Sequence, residues 1–325
     1  MTTAVGQSTV VTDTGRKRRH NEDSFVHKPP LFAVADGMGG AQAGEVASQL
    51  AAAALKEGTG DGNGAERLTA LIQEANRRVF KRANEDAAAS GMGTTITAAL
   101  VENGVVWIGH VGDSRAYLVR AGRLEQLTED HSLVNELLKS GKLSPQEAET
   151  HPQRSVITRA VGTDPDVDVD AFRVDALEGD VFLLCSDGLT DMVDDEGILD
   201  VVERYHDDLD RVAKSLVSAA NRGGGEDNIT VIAFTMTADG DTQRLPVAEP
   251  DEDTLEGIPV PTPTVDTMVV PPEEVEHVFV EPGSPAAEAV TRKEPISAAA
   301  RVRLVLAMLV LLGIAAALLV WGLLR

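Results

Sequence analysis

The sequence has a single cysteine, Cys185, which excludes an intramolecular disulfide framework and a cysteine-based zinc site. A reducing compartment follows for the folded part. No apolar leader opens the chain: MTTAVGQSTVVTDTGRKRR carries its basic cluster after its few apolar residues, the reverse of a secretory signal. Basic residues are scarce, 29 Lys and Arg against 52 Asp and Glu, for a formal charge of −23. By segment the charge is −15 for residues 1–237, −11 for 238–300 and +3 for 301–325. A globular part this acidic is no nucleic-acid binder, because phosphate backbones are held by surplus Lys and Arg.

Proline and apolar residues are unevenly spread. Ten of the 15 prolines fall between Pro246 and Pro295, in a stretch almost free of aromatics, Phe279 being the exception. So little apolar surface cannot offset the entropy of ordering, so 238–300 is expected to be a disordered linker spanning roughly 45 Å as a flexible chain. Its IPVPTPTVDTMVVPP run is either spacer or a docking or phosphorylation strip. Residues 304–324, LVLAMLVLLGIAAALLVWGLL, carry no charge. As a helix they would rise about 31 Å, which matches a bilayer core. Arg292, Lys293, Arg301 and Arg303 precede them and Trp321 lies near the far end. That pattern predicts one transmembrane helix with its amino side, and the folded domain, in the cytoplasm.

Three parts are therefore expected: a globular domain at 1–237, a Pro- and acid-rich linker at 238–300, and juxtamembrane arginines with a span at 301–325. Within the first, apolar periodicity predicts strands at 31–35, 94–101, 105–111, 116–120, 180–185 and 229–235. Helices are predicted at 44–55, 66–85, 132–141, 144–149, 194–205 and 209–221, with an Asn103-Gly104 hairpin turn. The pattern indicates an α/β-type globule and leaves its topology open.

The positions of the carboxylates are more informative. Four apolar strands or turns end beside Asp next to Gly or Asn: FAVADGMGG with Asp36, IGHVGDSR with Asp113, FLLCSDGL with Asp187 and GGGEDNITVI with Asp227. A fifth cluster, Asn21-Glu22-Asp23, follows a Gly- and Arg-rich turn. Gathered carboxylates raise one another's pKa, and divalent cations cancel that cost. All-oxygen ligands without Cys or paired His favour Mg²⁺ or Mn²⁺. Two such ions about 4 Å apart suit phosphate-ester hydrolysis, activating a bridging water and neutralising the phosphoryl group. A phosphate also calls for arginine, and Arg16, Arg18 and Arg19 are all candidates on spacing. Ser114 and Ser186 read as turn serines, since no His is placed to activate them; Cys185 and Trp107 read as core.

In order, Thr12-Asp13-x-Gly15, Asn21-Glu22-Asp23, Ala35-Asp36-Gly37-Met38-Gly39-Gly40, Gly91-Met92-Gly93-Thr94-Thr95, Gly112-Asp113-Ser114-Arg115, Ser186-Asp187-Gly188-Leu189 and Asp227-Asn228-Ile229-Thr230 resemble the PPM (type 2C) metal-dependent serine/threonine protein phosphatases. The bacterial branch, whose members oppose Ser/Thr kinases, is most similar, including His151-Pro152-Gln153-Arg154-Ser155. The likeness covers about residues 5–237. It implies an α+β fold of two packed antiparallel sheets flanked by helix pairs, an α-β-β-α sandwich with the metals at one end. It also implies that Asp36 bridges two Mn²⁺ or Mg²⁺ ions, with Asp187 and Asp227 on the first. The Gly37 carbonyl, with Glu22 or Asp23, would serve the second, and Asp113 with Asp187 a weaker third. The resemblance selects Arg18 for phosphate and makes residues 130–165 a mobile flap that His131 and His151 help shape. Where many relatives carry a proton-donating His after Asp-Gly, this chain has Met38, so the general acid is unassigned. The implied substrates are phosphoserine and phosphothreonine proteins of the cytoplasm, attacked by a metal-bridging hydroxide at the membrane. A non-catalytic phosphoprotein-binding module on the same fold is the alternative; a nucleotide hydrolase is disfavoured by the acidic charge and the lack of a GxxxxGKS cradle.

Overall fold

A computed structural model describes residues 3–39, 43–58, 62–86, 89–149 and 151–238. The expected linker and span, and Gly40 of the Asp36 motif, lie outside the described residues. Among the described residues no helix is long and apolar enough to cross a membrane.

The elements follow in order: β1 Thr3–Asp13, β2 Asp23–Lys28, β3 Leu31–Met38, α1 Ala43–Glu57, α2 Gly64–Glu85, β4 Gly93–Thr94, β5 Ile96–Glu102, β6 Val105–Val111, β7 Arg115–Arg120 and β8 Arg123–Gln126. Then come α3 Leu133–Lys139, α4 Pro145–Glu149, β9 Asp170–Asp175, β10 Val181–Cys185, α5 Asp187–Thr190, α6 Asp195–Arg204, α7 Leu209–Gly223 and β11 Ile229–Ala238. One sheet runs β1-β11-β10-β7-β8 and the other β2-β3-β5-β6-β9, with β4 added beside β3. The ladders within both sheets are antiparallel. The α/β-type expectation from periodicity is thus corrected to α+β, as the family resemblance implied. Periodicity detects single elements and is silent on which strands pair.

Three apolar layers hold the sandwich. Between the sheets lie Phe32, Val34, Ile108, Leu118, Phe182, Leu184, Ile232 and Phe234. Phe234 stacks on Phe32 at 4.4 Å and on Phe182 at 5.1 Å between ring centroids. On the outer faces, Leu68, Ile72 and Val79 of α2 pack with α1 on one sheet, and Val212, Leu216 and Ala220 of α7 pack with Ile198 and Val202 of α6 on the other. Strands buried on both faces read as continuous apolar runs, which is why β10 and β11 are legible from sequence. The missed strands β1, β2, β8 and β9 lie at sheet edges, where partly exposed polar residues blur the alternation. The β5–β6 hairpin turns where expected, with Asn103 and Gly104 both at positive φ (53° and 78°) as a type I′ turn requires.

Phe234 is fully buried between the sheets. Phe234→Ala is therefore expected to cost about 3–5 kcal/mol in denaturant unfolding; a loss under about 1 kcal/mol would show that the inter-sheet layer is not the main adhesive.

Candidate active site

The acidic motifs meet at one end of the sandwich because the strands carrying them end there. β3 runs beyond Asp36, held by β4 through the pairs Gly37 with Thr94 and Met38 with Gly93. The Asp36 backbone is fixed from three sides: its N–H donates to Thr95 Oγ1 (3.0 Å), and its carbonyl accepts from Thr95 N and Thr94 Oγ1 (both 2.8 Å). Gly37 has no room for a side chain, since a Cβ there would stand 2.1 Å from the Gly44 carbonyl oxygen and 2.6 Å from that of Glu22. Glu22 is placed by its own backbone. Its N–H donates to Asn228 Oδ1 (2.8 Å), and its carbonyl accepts from Ser48 Oγ of α1 (2.6 Å) and Gly37 N (3.2 Å).

Asp23 faces Asp36 directly across the β2–β3 ladder. Like charges so placed repel, and the surroundings offset this. Asp23 Oδ2 accepts from Ser186 Oγ (2.8 Å) and Thr230 Oγ1 (2.6 Å). Thr230 in turn accepts from Thr12 at 2.8 Å, and Thr12 from Asn21 Nδ2 at 2.8 Å. Asp187 opens α5, directly after β10, and Asp113 sits on the turn after β6. Asp227 lies on the loop before β11, under the loop 13–19. Gly15 (φ +81°) comes so close that a Cβ would fall 2.1 Å from the Asp227 carbonyl oxygen, and Arg16 N donates to Gly225 O (2.7 Å). This packing delivers Arg18, whose Nη2 donates to Asp227 Oδ2 at 2.6 Å.

A cavity of about 320 Å³ collects Arg18, Glu22, Asp36, Gly37, Asp113, Asp187 and Asp227 on its wall, with Met38, Ser155 and Asn228. Of the ligand and phosphate residues the resemblance implied, only Asp23 is absent from that lining; it is buried across the β2–β3 ladder from Asp36, and Arg16 and Arg19, the other candidates on spacing, do not line the cavity either. Between Glu22 and Asp23, it is therefore Glu22 that faces the cavity. A neighbouring cavity of about 660 Å³ shares Asp113, Asp187 and Ser155 and extends along α3 past Asp191 and Arg154. His20 is exposed and lines neither cavity. Sequence reasoning missed the hydroxyls and amide that hold the ligand loops: Thr95, Ser186, Thr230 and Asn228. Each lies inside one of the family motifs, and three of them sit close to an aspartate in sequence, which was the available signal; Ser186, expected to be a turn serine, is a donor to Asp23.

Lost hydration, followed by the neighbouring carboxylates Asp23, Asp187, Asp113 and Asp227, drives the Asp36 pKa well up. Asp187 rises for the same reasons, burial first and then Asp113 and Asp227. Burial raises Asp23 to about 6 against the help of its hydroxyl donors, and burial with Asp130 raises Asp113 to about 7. Buried oxygens Asp23 Oδ1, Asp113 Oδ1 and Asp187 Oδ1 have no hydrogen-bond partner. Nearby cations are engaged: Arg115 forks onto Asp130 (2.7 Å) and Arg154 lies 3.5 Å from Asp191. Among the described residues no three His, Cys, Asp or Glu side chains stand grouped as a finished metal cage. The residues nonetheless fit hard divalent cations: an all-oxygen set, unpaired buried carboxylate oxygens and surplus negative charge.

A carboxyl whose pKa is raised on folding contributes stability that is lost as pH rises through the folded value. In EDTA, Asp113→Asn is therefore expected to raise Tm by several degrees at pH 8, the gain shrinking to nothing toward pH 4. A Tm gain equal at both pH values, or a loss at pH 8, would contradict the electrostatic reading.

The chain and its two-sheet frame have counterparts among known proteins. The Protein phosphatase 2C family profile matches residues 14–220. The serine/threonine phosphatase Stp of Listeria welshimeri is 44% identical over 233 residues, 68% of this chain and 92% of that protein. The serine/threonine protein phosphatase PstP of Mycobacterium tuberculosis is 43% identical over 227 residues, 68% of this chain and 43% of that protein. The crystal structure of the M. tuberculosis phosphatase PstP/Ppp superimposes with a TM-score of 0.67 at 39% identity, covering 72% of this chain and 99% of that one. A structure of the PstP catalytic domain in complex with two manganese ions gives 0.66 at 38% identity, with 72% and 99% covered. With the profile spanning most of the sandwich and nearly all of the acid-bearing loops inside the matched range, the chain belongs to the protein phosphatase 2C family.

Proposed function

We infer that the chain is a metal-dependent protein serine/threonine phosphatase, hydrolysing phosphoserine and phosphothreonine of protein substrates. The observation that carries this is the convergence of Glu22, Asp36, Asp113, Asp187 and Asp227 on one cavity with Arg18 at its rim. Asp36, at the centre of the mutual repulsion, would help to hold both ions. Asp187 and Asp227 would hold the first, the Gly37 carbonyl and Glu22 the second, and Asp113 with Asp187 a third. When bound, Mn²⁺ or Mg²⁺ would supply a water of lowered pKa and offset the charge of the phosphoryl group.

The protein's own share is positioning. Arg18 is half exposed and commits one Nη2 to Asp227, leaving other donors of its fork for phosphate oxygens. Thr95 and Asn228 hold the loops of Asp36 and Glu22 rigid, so that the carboxylates need not reorganise during the reaction. Met38 has no titratable proton, so no side-chain acid is supplied at its position to the leaving serine or threonine oxygen. No observation favours the non-catalytic module, in which the cost of the gathered carboxylates would serve nothing.

The purified protein with Mn²⁺ is expected to hydrolyse p-nitrophenyl phosphate and phosphothreonine peptides. Asp36→Ala and Asp187→Ala should each lower kcat by at least about 100-fold. Undiminished turnover in excess EDTA would overturn the metal-dependent mechanism. Arg18→Ala is expected to raise KM more than it lowers kcat.

Membrane placement and an opposing Ser/Thr kinase belong to the same proposal. The support is in the sequence: the uncharged run 304–324 behind Arg301 and Arg303, reached through the proline- and acid-rich stretch 238–300. The catalytic domain would act on the cytoplasmic face within reach of that tether. Deleting 301–325 is expected to move the protein from the membrane to the soluble fraction with turnover retained; an intact protein already soluble without detergent would rule the anchor out.

A further inference from the structure

Outside the lining of both cavities lies a buried pair of imidazoles. His110 on β6 and His131, on the loop before α3, pack ring against ring, tilted by 33° with centroids 4.7 Å apart. His110 spans Thr97 Oγ1 (2.9 Å) and the Glu129 carbonyl (3.0 Å). His131 does something different. Its Nδ1 accepts the Gly112 N–H at 3.0 Å, and its own backbone N–H donates to the Gly112 carbonyl at 2.7 Å. One residue thus grips both polar groups of Gly112, the residue before Asp113. With Nδ1 accepting, the ring proton sits on Nε2, which lies 3.1 Å from Asp170 Oδ2 and 2.9 Å from Arg159 Nη1, so the carboxylate is its acceptor and the guanidinium crowds the same nitrogen. Arg159 steadies that carboxylate through Oδ1 at 2.7 Å.

Gly112 is a demanding place to hold. Its φ is +113°, and a Cβ there would stand 2.6 Å from the Thr95 side chain. The turn it makes determines where Asp113 points, and Asp113 Oδ1 has no hydrogen-bond partner of its own to fix it. Orientation of that carboxylate therefore leans on the backbone turn that carries it. The backbone of His131 has a second partner, since its carbonyl accepts Thr158 N at 2.8 Å. Next to it Ser132 bridges Ile157, and Leu133 N donates to Val156 O at 2.9 Å. These bonds close the root of the segment 133–156, which brings Ser155 to the wall of both cavities.

We propose that His131 is a positioning residue: its imidazole clamps Gly112 and so aims Asp113, while its backbone ties that turn to the root of the 133–156 segment. His131 touches no reacting atom and acts through Asp113. The proposal rests on the phosphatase reading for its kinetic test only. A merely structural histidine would lower activity regardless of what stands at residue 113, whereas a positioning one has nothing left to position once Asp113 is gone.

The test is a double-mutant cycle on the full chain with Mn²⁺ and p-nitrophenyl phosphate, joined to amide exchange at Gly112 in EDTA. His131→Ala is expected to lower kcat about tenfold in the parent and less than about twofold in an Asp113→Ala background. His131→Asn, whose Oδ1 can still accept the Gly112 N–H, is expected to keep most of the parent kcat. Gly112 exchange should quicken at least about tenfold in His131→Ala and stay slow in His131→Asn. Equal losses in both backgrounds, or unchanged Gly112 exchange, would overturn the assignment. Should His131→Ala not fold, Asp170→Asn, which keeps an acceptor for Nε2–H and Arg159 but removes the charge, and Asp170→Ala, which removes the acceptor for both, are carried through the same cycle: a loss in Asp170→Ala confined to the parent and absent from the Asp113→Ala background supports the clamp, and an equal loss in both refutes it. Absence of turnover in the parent would sink the phosphatase reading, while the exchange comparison still decides the clamp.

Discussion

Everything in this molecule is arranged around a repulsion. Asp36 sits across a strand pair from Asp23 and feels Asp187, Asp113 and Asp227 as well, with little water to screen them. Such a cluster cannot gather by itself; a stiff frame has to hold it together. The frame is the stacked pair of sheets, fastened by the Phe32, Phe182 and Phe234 rings between them and by the helix pairs on either side. Apolar burial distributed over three layers supplies the stability that the acidic end takes away. The same balance explains the unpaired oxygens on Asp23, Asp113 and Asp187, which no protein group is placed to satisfy.

Around the acids lies a ring of small polar supports. Thr12, Asn21, Ser186 and Thr230 form a relay ending on Asp23 Oδ2. Asn228 links three separate backbone groups, Glu22 N, Thr14 O and His20 O, so one amide ties the arginine loop to the Glu22 corner. Hydroxyls and amides suit this task because they fix geometry without adding charge. His131 fits the same pattern, gripping Gly112 through both a ring nitrogen and a backbone N–H. A flat family resemblance would treat these as motif filler; their bonds show why the aspartates cannot move independently.

Much of this was legible in the chain itself. Strands such as β10 and β11, buried on both faces, announce themselves as apolar runs, and the aspartates that flank them mark one end of the sandwich. The hairpin at Asn103-Gly104 and the helical stripe of α2 were equally plain. The edge strands were not, because β1 and β9 expose polar residues whose burial depends on partners distant in sequence. Pairing order was likewise hidden, since nothing local places β1 beside β11, at the far end of the folded domain. For the site, spacing named the acids but left Arg16, Arg18 and Arg19 equivalent. In the fold, the Gly15 turn and the Arg16–Gly225 bond bring Arg18, and neither of the other two, to the cavity wall beside Asp227. Which of Glu22 and Asp23 faces the cavity follows from β2 alternation: Asp23 begins the strand pointing inward to the Ser186 and Thr230 hydroxyls, and Glu22 lies just outside it.

The central claim is that these carboxylates are held together for hard divalent cations. The most direct measurement is calorimetric titration of Mn²⁺ into the metal-free protein near neutral pH in two buffers of different ionisation enthalpy. The account predicts more than one ion bound per chain, with protons released as the raised carboxyls ionise, and loss of the tightest step in Asp36→Asn. Saturation without proton release, or an Asp36→Asn protein that binds Mn²⁺ as the parent does, would contradict it.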